Sequence, residues 1–172
     1  MSETFITIIA VITVALIMFI FPVMAMADQN DDVTQTAVDT MVADFVNTVA
    51  KEGKITANNY DEFVQKLHAT GNTYLLELEV QHLDDNPAKK GQNINVIGEN
   101  IYYSVFTNAI EEELKNNQVY LLKQGDYIKA RITNTNVTFG TQMKNFLYSV
   151  MGKDTIAIES SHSALVMTTG AK

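Results

Sequence analysis

From Phe5 to Ala27 the chain runs through 23 residues in which only Thr7, Thr13 and Pro22 fall outside the apolar set. A helix rises about 1.5 Å per residue, so this run reaches roughly 34 Å. That is long enough to cross the hydrocarbon core of a bilayer. Everything after it, residues 28–172, mixes charged and apolar residues in the manner of a water-soluble domain. The boundary carries two signals at once. Ala25-Met26-Ala27 followed by Asp28 has the small-residue pattern of a signal-peptidase site, and Pro22 stands where a helix breaker often precedes one. A cleavable signal, however, has a basic flank and an apolar core of about 7–15 residues. Here residues 1–4 hold Glu3 and no Lys or Arg, and the run is far longer. The expectation is therefore a retained transmembrane helix over 1–27 and an extracellular domain over 28–172, with a secreted form only if the chain is cut after Ala27. Neither flank carries the basic residues that set orientation.

Charge and cysteine usage narrow the functional classes. Beyond position 27 there are nineteen acidic against twelve basic residues, an acidic balance that makes a poor nucleic-acid surface. Lys89-Lys90 and Lys129-Arg131 read as solvated faces. The chain has no cysteine, which excludes disulfide staples, Cys-ligated metals and thiol nucleophiles. The domain must hold together by packing alone.

Periodicity predicts the elements of that domain. Val38, Met41, Val42, Phe45 and Val49 make one apolar helical face ending near Lys51, with Gly53 as a left-handed cap. Tyr60, Phe63, Val64 and Leu67 repeat the pattern in a short helix opened by Thr56 or Asn59 and stopped at Thr70-Gly71-Asn72. The period then becomes two: Tyr74, Leu76, Leu78 and Val80 alternate with Glu77, Glu79 and Gln81 in a half-buried strand. Residues 84–93, with Pro87 and Gly91, read as a loop. A helix is expected from about Asn100 to Lys115, burying Tyr102, Val105, Phe106 and Ala109. Two strands around Gln124-Gly125-Asp126 read as a hairpin, the second alternating Ile128, Ala130 and Ile132 with Lys129, Arg131 and Thr133. Met143, Phe146, Leu147 and Val150 mark a further helix. "TIAIESSHSALVM" closes the domain as a strand with a bend at Ser160–Ser163. The fold class is α+β: an N-terminal transmembrane helix leading into an amphipathic helix, then a small, mainly antiparallel sheet with helices packed on one face.

No catalytic constellation is visible, and a protein that is not an enzyme is expected. His68, His82 and His162 are scattered, with no second ligand at helical spacing, and are assigned isolated surface or capping roles. Asp28-x-Asn30-x-Asp32 begins like a calcium loop but has Val33 where the loop needs Gly. Glu111-Glu112-Glu113 reads as the wet face of a helix. Ser160-Ser161-His162-Ser163 puts serines beside a histidine, yet strand neighbours point to opposite sides. Asn136-Val137-Thr138 is a glycosylation sequon. No catalytic, cofactor or metal residue is assigned.

The order of elements resembles that of type IV pilins and pseudopilins. Several stretches resemble, more specifically, a pilin-like family of Gram-positive bacteria related to the tight-adherence pilus pseudopilins: "VADFVNTVAKEGKIT", "YDEFVQKLHATGNTYLLELEV", "GDYIKARITNTN", "NFLYSVMGKD" and "SSHSALVMTTG". They cover most of residues 42–170. The resemblance implies a structural or assembly component of a pilus, secretion or conjugation apparatus, inserted in membrane lipid. It implies self-association, or packing with other pilin-like subunits, through the N-terminal helix. The residues it puts in that role are Phe5, Ile9, Val11, Val14, Leu16, Phe19, Phe21 and Pro22, with Glu3 as a candidate for the acidic residue pilins carry near the helix start. Two departures stand out: "MSETF" has no basic leader ending in a small residue, and Glu3 precedes the apolar run rather than lying within it. The alternative from another class is an anchored or signal-cleaved extracellular binding domain that does not polymerise.

Overall fold

The structure, a computed structural model, describes residues 2–83, 102–136, 142, 145 and 158–171. The chain divides into two compact units: residues 1–36 with 137–158, and residues 37–136 with 159–172. Helix α1 (Ser2–Glu52) has 51 residues. Its residues 2–36 belong to the first unit and the remainder to the second.

In the second unit, α1 is followed by β1 (Lys54–Thr56), α2 (Ala57–His68), β2 (Tyr74–Leu83), β3 (Tyr102–Phe106), α3 (Thr107–Asn117), β4 (Val119–Leu121), β5 (Tyr127–Asn134) and β6 (Glu159–Leu165). A four-stranded antiparallel sheet has the order β3-β2-β5-β6, and β1 pairs with β4 in a small second sheet. The expected α+β class is the observed one.

The core forms where the helical and strand periods meet. Along the end of α1, Val38, Val42, Phe45, Val46, Val49 and Ala50 are buried, the i, i+4, i+7 spacing of one helix face. The Phe45 ring stacks on Phe63 of α2 at 4.3 Å between centroids. From the sheet come Leu78 and Val80 of β2 and Ile128, Ala130 and Ile132 of β5, all buried. Their alternates Glu77, Lys129 and Arg131 are exposed. Register puts Val80 between Val105 and Ile128, so β3, β2 and β5 contribute to the same core at this level.

Helix ends are resolved by named groups. Gly53 adopts φ +67° and ends α1, its N–H bonded to the Val49 carbonyl at 2.8 Å. The expected left-handed cap is there. At the start of α2, Asn59 N–H donates to Thr56 Oγ1 while Thr56 N–H donates to Asn59 Oδ1. The two candidate caps thus form one reciprocal capping box.

Three expectations are corrected. The helix from Asn100 to Lys115 is instead β3 followed by α3. "YYSVF" is aromatic and β-branched, and pairing with β2 overrides its helical spacing. The buried face of α3 is Ile110 and Leu114, whereas Phe106 and Ala109 are exposed. The hairpin around Gln124-Gly125-Asp126 is a turn between two sheets, because β4 pairs with β1 and β5 with β2. The turn itself is real: Asp126 N–H reaches the Lys123 carbonyl at 3.1 Å, and Gly125 supplies φ +97°. Ser160–Ser163 show no bend, since each pairs in register with β5 from Ile132 to Lys129. The loop at 84–93, the helix marked by Met143, Phe146, Leu147 and Val150, and residues 155–157 of the last strand lie outside the described residues.

Candidate functional site

Two features carry functional information, one in each unit. In the first, residues 2–36 are helical, and α1 is long and apolar enough to cross a membrane. None of its most apolar 18-residue stretch is buried. Phe5, Ile9, Val11, Val14, Leu16, Phe19 and Phe21 are all exposed, and exposure of the large apolar residues ranges from 38% at Ile20 to 75% at Phe19. No face is withdrawn. Fifteen large apolar side chains between Phe5 and Met26 are exposed in this way. Burial is worth about 1.5–3 kcal/mol for each such side chain, so their sum exceeds the ~5–15 kcal/mol that holds a typical domain folded. Such a helix needs an apolar surrounding.

Its few polar groups suit one. Thr7 Oγ1 donates to the Glu3 carbonyl and Thr13 Oγ1 to the Ile9 carbonyl, each at 2.9 Å. Both hydroxyls are thereby satisfied within the helix. Pro22 lies inside α1, which continues through it, as bilayer helices tolerate. Glu3 is exposed in the first turn, where the helix dipole favours an acidic side chain. The chain at Ala25-Met26-Ala27-Asp28 is helical.

The second feature is a polar cluster that sequence reasoning missed. Asp126 is fully buried. Its Oδ1 accepts from the Leu83 N–H at 3.1 Å, and its Oδ2 accepts from the Lys123 N–H and from His82 Nδ1, both at 2.7 Å. On the other side of the ring, His82 Nε2 and the Tyr120 hydroxyl share a hydrogen bond of 2.6 Å. The backbone of Asp126 adds a further link, its carbonyl accepting from the Val166 N–H at 2.8 Å. The one residue Asp126, through its carboxylate and its backbone carbonyl, therefore joins the end of β2, the turn after β4 and the chain leaving β6. His82 is not an isolated surface residue: its side chain is 12% exposed. The signal was its parity, since it shares the inward side of β2 with Leu78 and Val80.

Beside this chain of bonds lies a cavity of ≈ 330 Å³ whose walls include His82, Tyr103, Tyr120, Glu113, Asn117 and Lys123. The Tyr120 hydroxyl is pushed up to about 12, mainly by burial and further by the neighbouring Tyr103, Asp126 and Glu113. It is a neutral hydrogen-bonding group at ordinary pH.

The remaining sequence candidates are placed as follows. Glu111 is half-buried and accepts from the Tyr60 hydroxyl at 2.6 Å, so it is not part of a purely wet face. Ser161 and Ser163 are exposed on the side of β6 opposite His162. The Asn136 amide, where a glycan would attach, donates to Asn72 Oδ1 while its oxygen accepts from the Thr73 N–H. His68 is exposed. Among the described residues, no three His, Asp or Glu side chains are gathered as a metal site.

Compared with protein-family models, with curated proteins and with solved structures, the chain matches none.

Proposed function

We propose that the protein is a pilin-like structural or assembly component of a bacterial cell-surface pilus, secretion or conjugation apparatus. In this reading the apolar part of α1 inserts in the membrane and packs laterally against like helices, with residues 28–172 as an extracellular head. One observation carries it: a single helix presents apolar side chains on every side over its first half and supplies the core of a folded domain with its end. The first half is driven into lipid or into a bundle of similar helices. The second is committed to its own head through Phe45 and the valines around it. The internally bonded Thr7 and Thr13 support burial in either surrounding.

Cell fractionation with intact-mass analysis tests the anchor. The membrane fraction should contain a species that includes residues 5–27. A mature protein beginning at Asp28 in the medium would remove the anchor, and the pilin-like reading with it. Electron microscopy of cells expressing the chain with its neighbouring genes tests polymerisation.

A further inference from the structure

We propose that the cavity beside Tyr120 is a binding site for one neutral sugar ring, a hexose or N-acetylhexosamine unit of a surface glycan. This does not depend on the pilin-like reading, since an anchored head that never polymerises would bind in the same way. The cavity, ≈ 330 Å³, stands at the lower end of the ~300–1,000 Å³ typical of small-molecule sites, room for a ring but not for a long chain.

The lining offers both kinds of contact a sugar makes. The Tyr120 hydroxyl is hydrogen-bonded to His82 Nε2, and a hydroxyl has capacity for at least one further hydrogen bond. The pair is held from behind by buried Asp126, a preorganised support of the kind precise sites need. On α3, Asn117 Nδ2 donates to Glu113 Oε1 at 2.5 Å, setting an amide and a carboxylate side by side at the cavity wall. Tyr103, 47% exposed, leans against the His82 ring at 5.3 Å and supplies a flat aromatic surface for the C–H face of the ring. Other ligand classes fit less well. A phosphate would meet Lys123 but also Glu113 in an acidic domain, and an apolar molecule would strip water from polar groups without replacing their bonds.

The test uses the full chain in a zwitterionic detergent that contains no sugar. Saturation-transfer NMR is run with the methyl glycosides of glucose, galactose, mannose and N-acetylglucosamine. At least one should bind in the millimolar range, weakened about tenfold or more by Tyr103→Ala and by Tyr120→Phe. Lys129→Ala, on the opposite side of the sheet, should leave binding unchanged. Circular dichroism checks that the variants fold, and Asn117→Ala on the exposed side of α3 replaces Tyr120→Phe if that variant does not. Absence of transfer at about 100 mM glycoside would overturn the proposal. Binding indifferent to the tyrosine substitutions, or tighter binding of inorganic phosphate, would overturn it equally.

Discussion

Gly53 and Gly170 lie backbone to backbone. A Cβ added to Gly53 would stand 2.0 Å from the Thr168 carbonyl oxygen, and one added to Gly170 would stand 2.1 Å from the Gly53 carbonyl oxygen. The close approach lets the chain after β6 run along the end of α1. Met167 N–H there bonds the Ala50 carbonyl, and Gly170 N–H bonds the Leu122 carbonyl, each at 2.9 Å. These bonds satisfy groups that a helix end and a short strand leave open.

Gly170→Ala should destabilise the head by about 3 kcal/mol or more, a loss of the size that a forced backbone shift produces. Gly53→Ala should cost more, because its φ of +67° adds roughly 1–2 kcal/mol for a residue with a Cβ. Urea unfolding of both variants checks the order. Loss of less than about 1 kcal/mol in either would mean that the tail does not hold this position.

The acidic run on α3 should behave unevenly. Glu111→Gln disturbs the bond to the Tyr60 hydroxyl and should cost about 1 kcal/mol. Glu112→Gln, at an exposed position, should stay within about 0.5 kcal/mol of the parent. Equal effects in thermal melts would place Glu111 on the wet face with its neighbours.

Stability should fall at alkaline pH. Burial raises the hydroxyls of both Tyr60 and Tyr120, Tyr120 to about 12 from an ordinary 10.0. The unfolded chain therefore loses these protons first. With more protons bound to the native state, stability is full below about pH 10 and declines as pH rises through about 12. Midpoints of urea unfolding at pH 9, 10 and 11 should show the decline, and Tyr120→Phe should lessen it. A flat profile would show that these hydroxyls are open to solvent in the native state.

What was legible follows from how local each cause is. The helical face from Val38 to Val49 and the alternation around Leu78 and Ile128 are written in neighbouring residues and are where they were expected, while Thr56 and Asn59, read as alternative caps, act together in one capping box. The helix assigned across Tyr102–Phe106 failed because those residues answer to β2, a partner distant in sequence. Val105 could satisfy either a helical or a strand period until Val80 decided between them. The hairpin failed for the same reason. The Asp126–His82–Tyr120 cluster joins residues as far as 44 positions apart, so no spacing announced it. Only the inward parity of His82 hinted that it was buried.

Charge at the middle of the apolar stretch should abolish membrane insertion and assembly while sparing the head. Val14→Asp costs about 2.5–3.5 kcal/mol at a helix centre on insertion scales. Val14 is 63% exposed and takes no part in the core. The variant should leave the membrane fraction yet keep the head's circular dichroism and cooperative unfolding. Assembly that survives it would move the interaction surface to the head and favour the binding-domain alternative.

The most direct measurement exploits the absence of cysteine. A single Val14→Cys substitution gives the chain one thiol, in the middle of the proposed packing surface. Oxidative cross-linking in intact membranes, with assembly partners co-expressed, should trap dimers of the chain or its adduct with a similarly marked pilin-like subunit. Ser104→Cys, exposed on the sheet of the head, serves as the comparison and should cross-link far less. Cross-linking absent at position 14, at its neighbour Val11 and at Phe19 farther round the helix, with the protein still in the membrane, would contradict lateral packing through this helix.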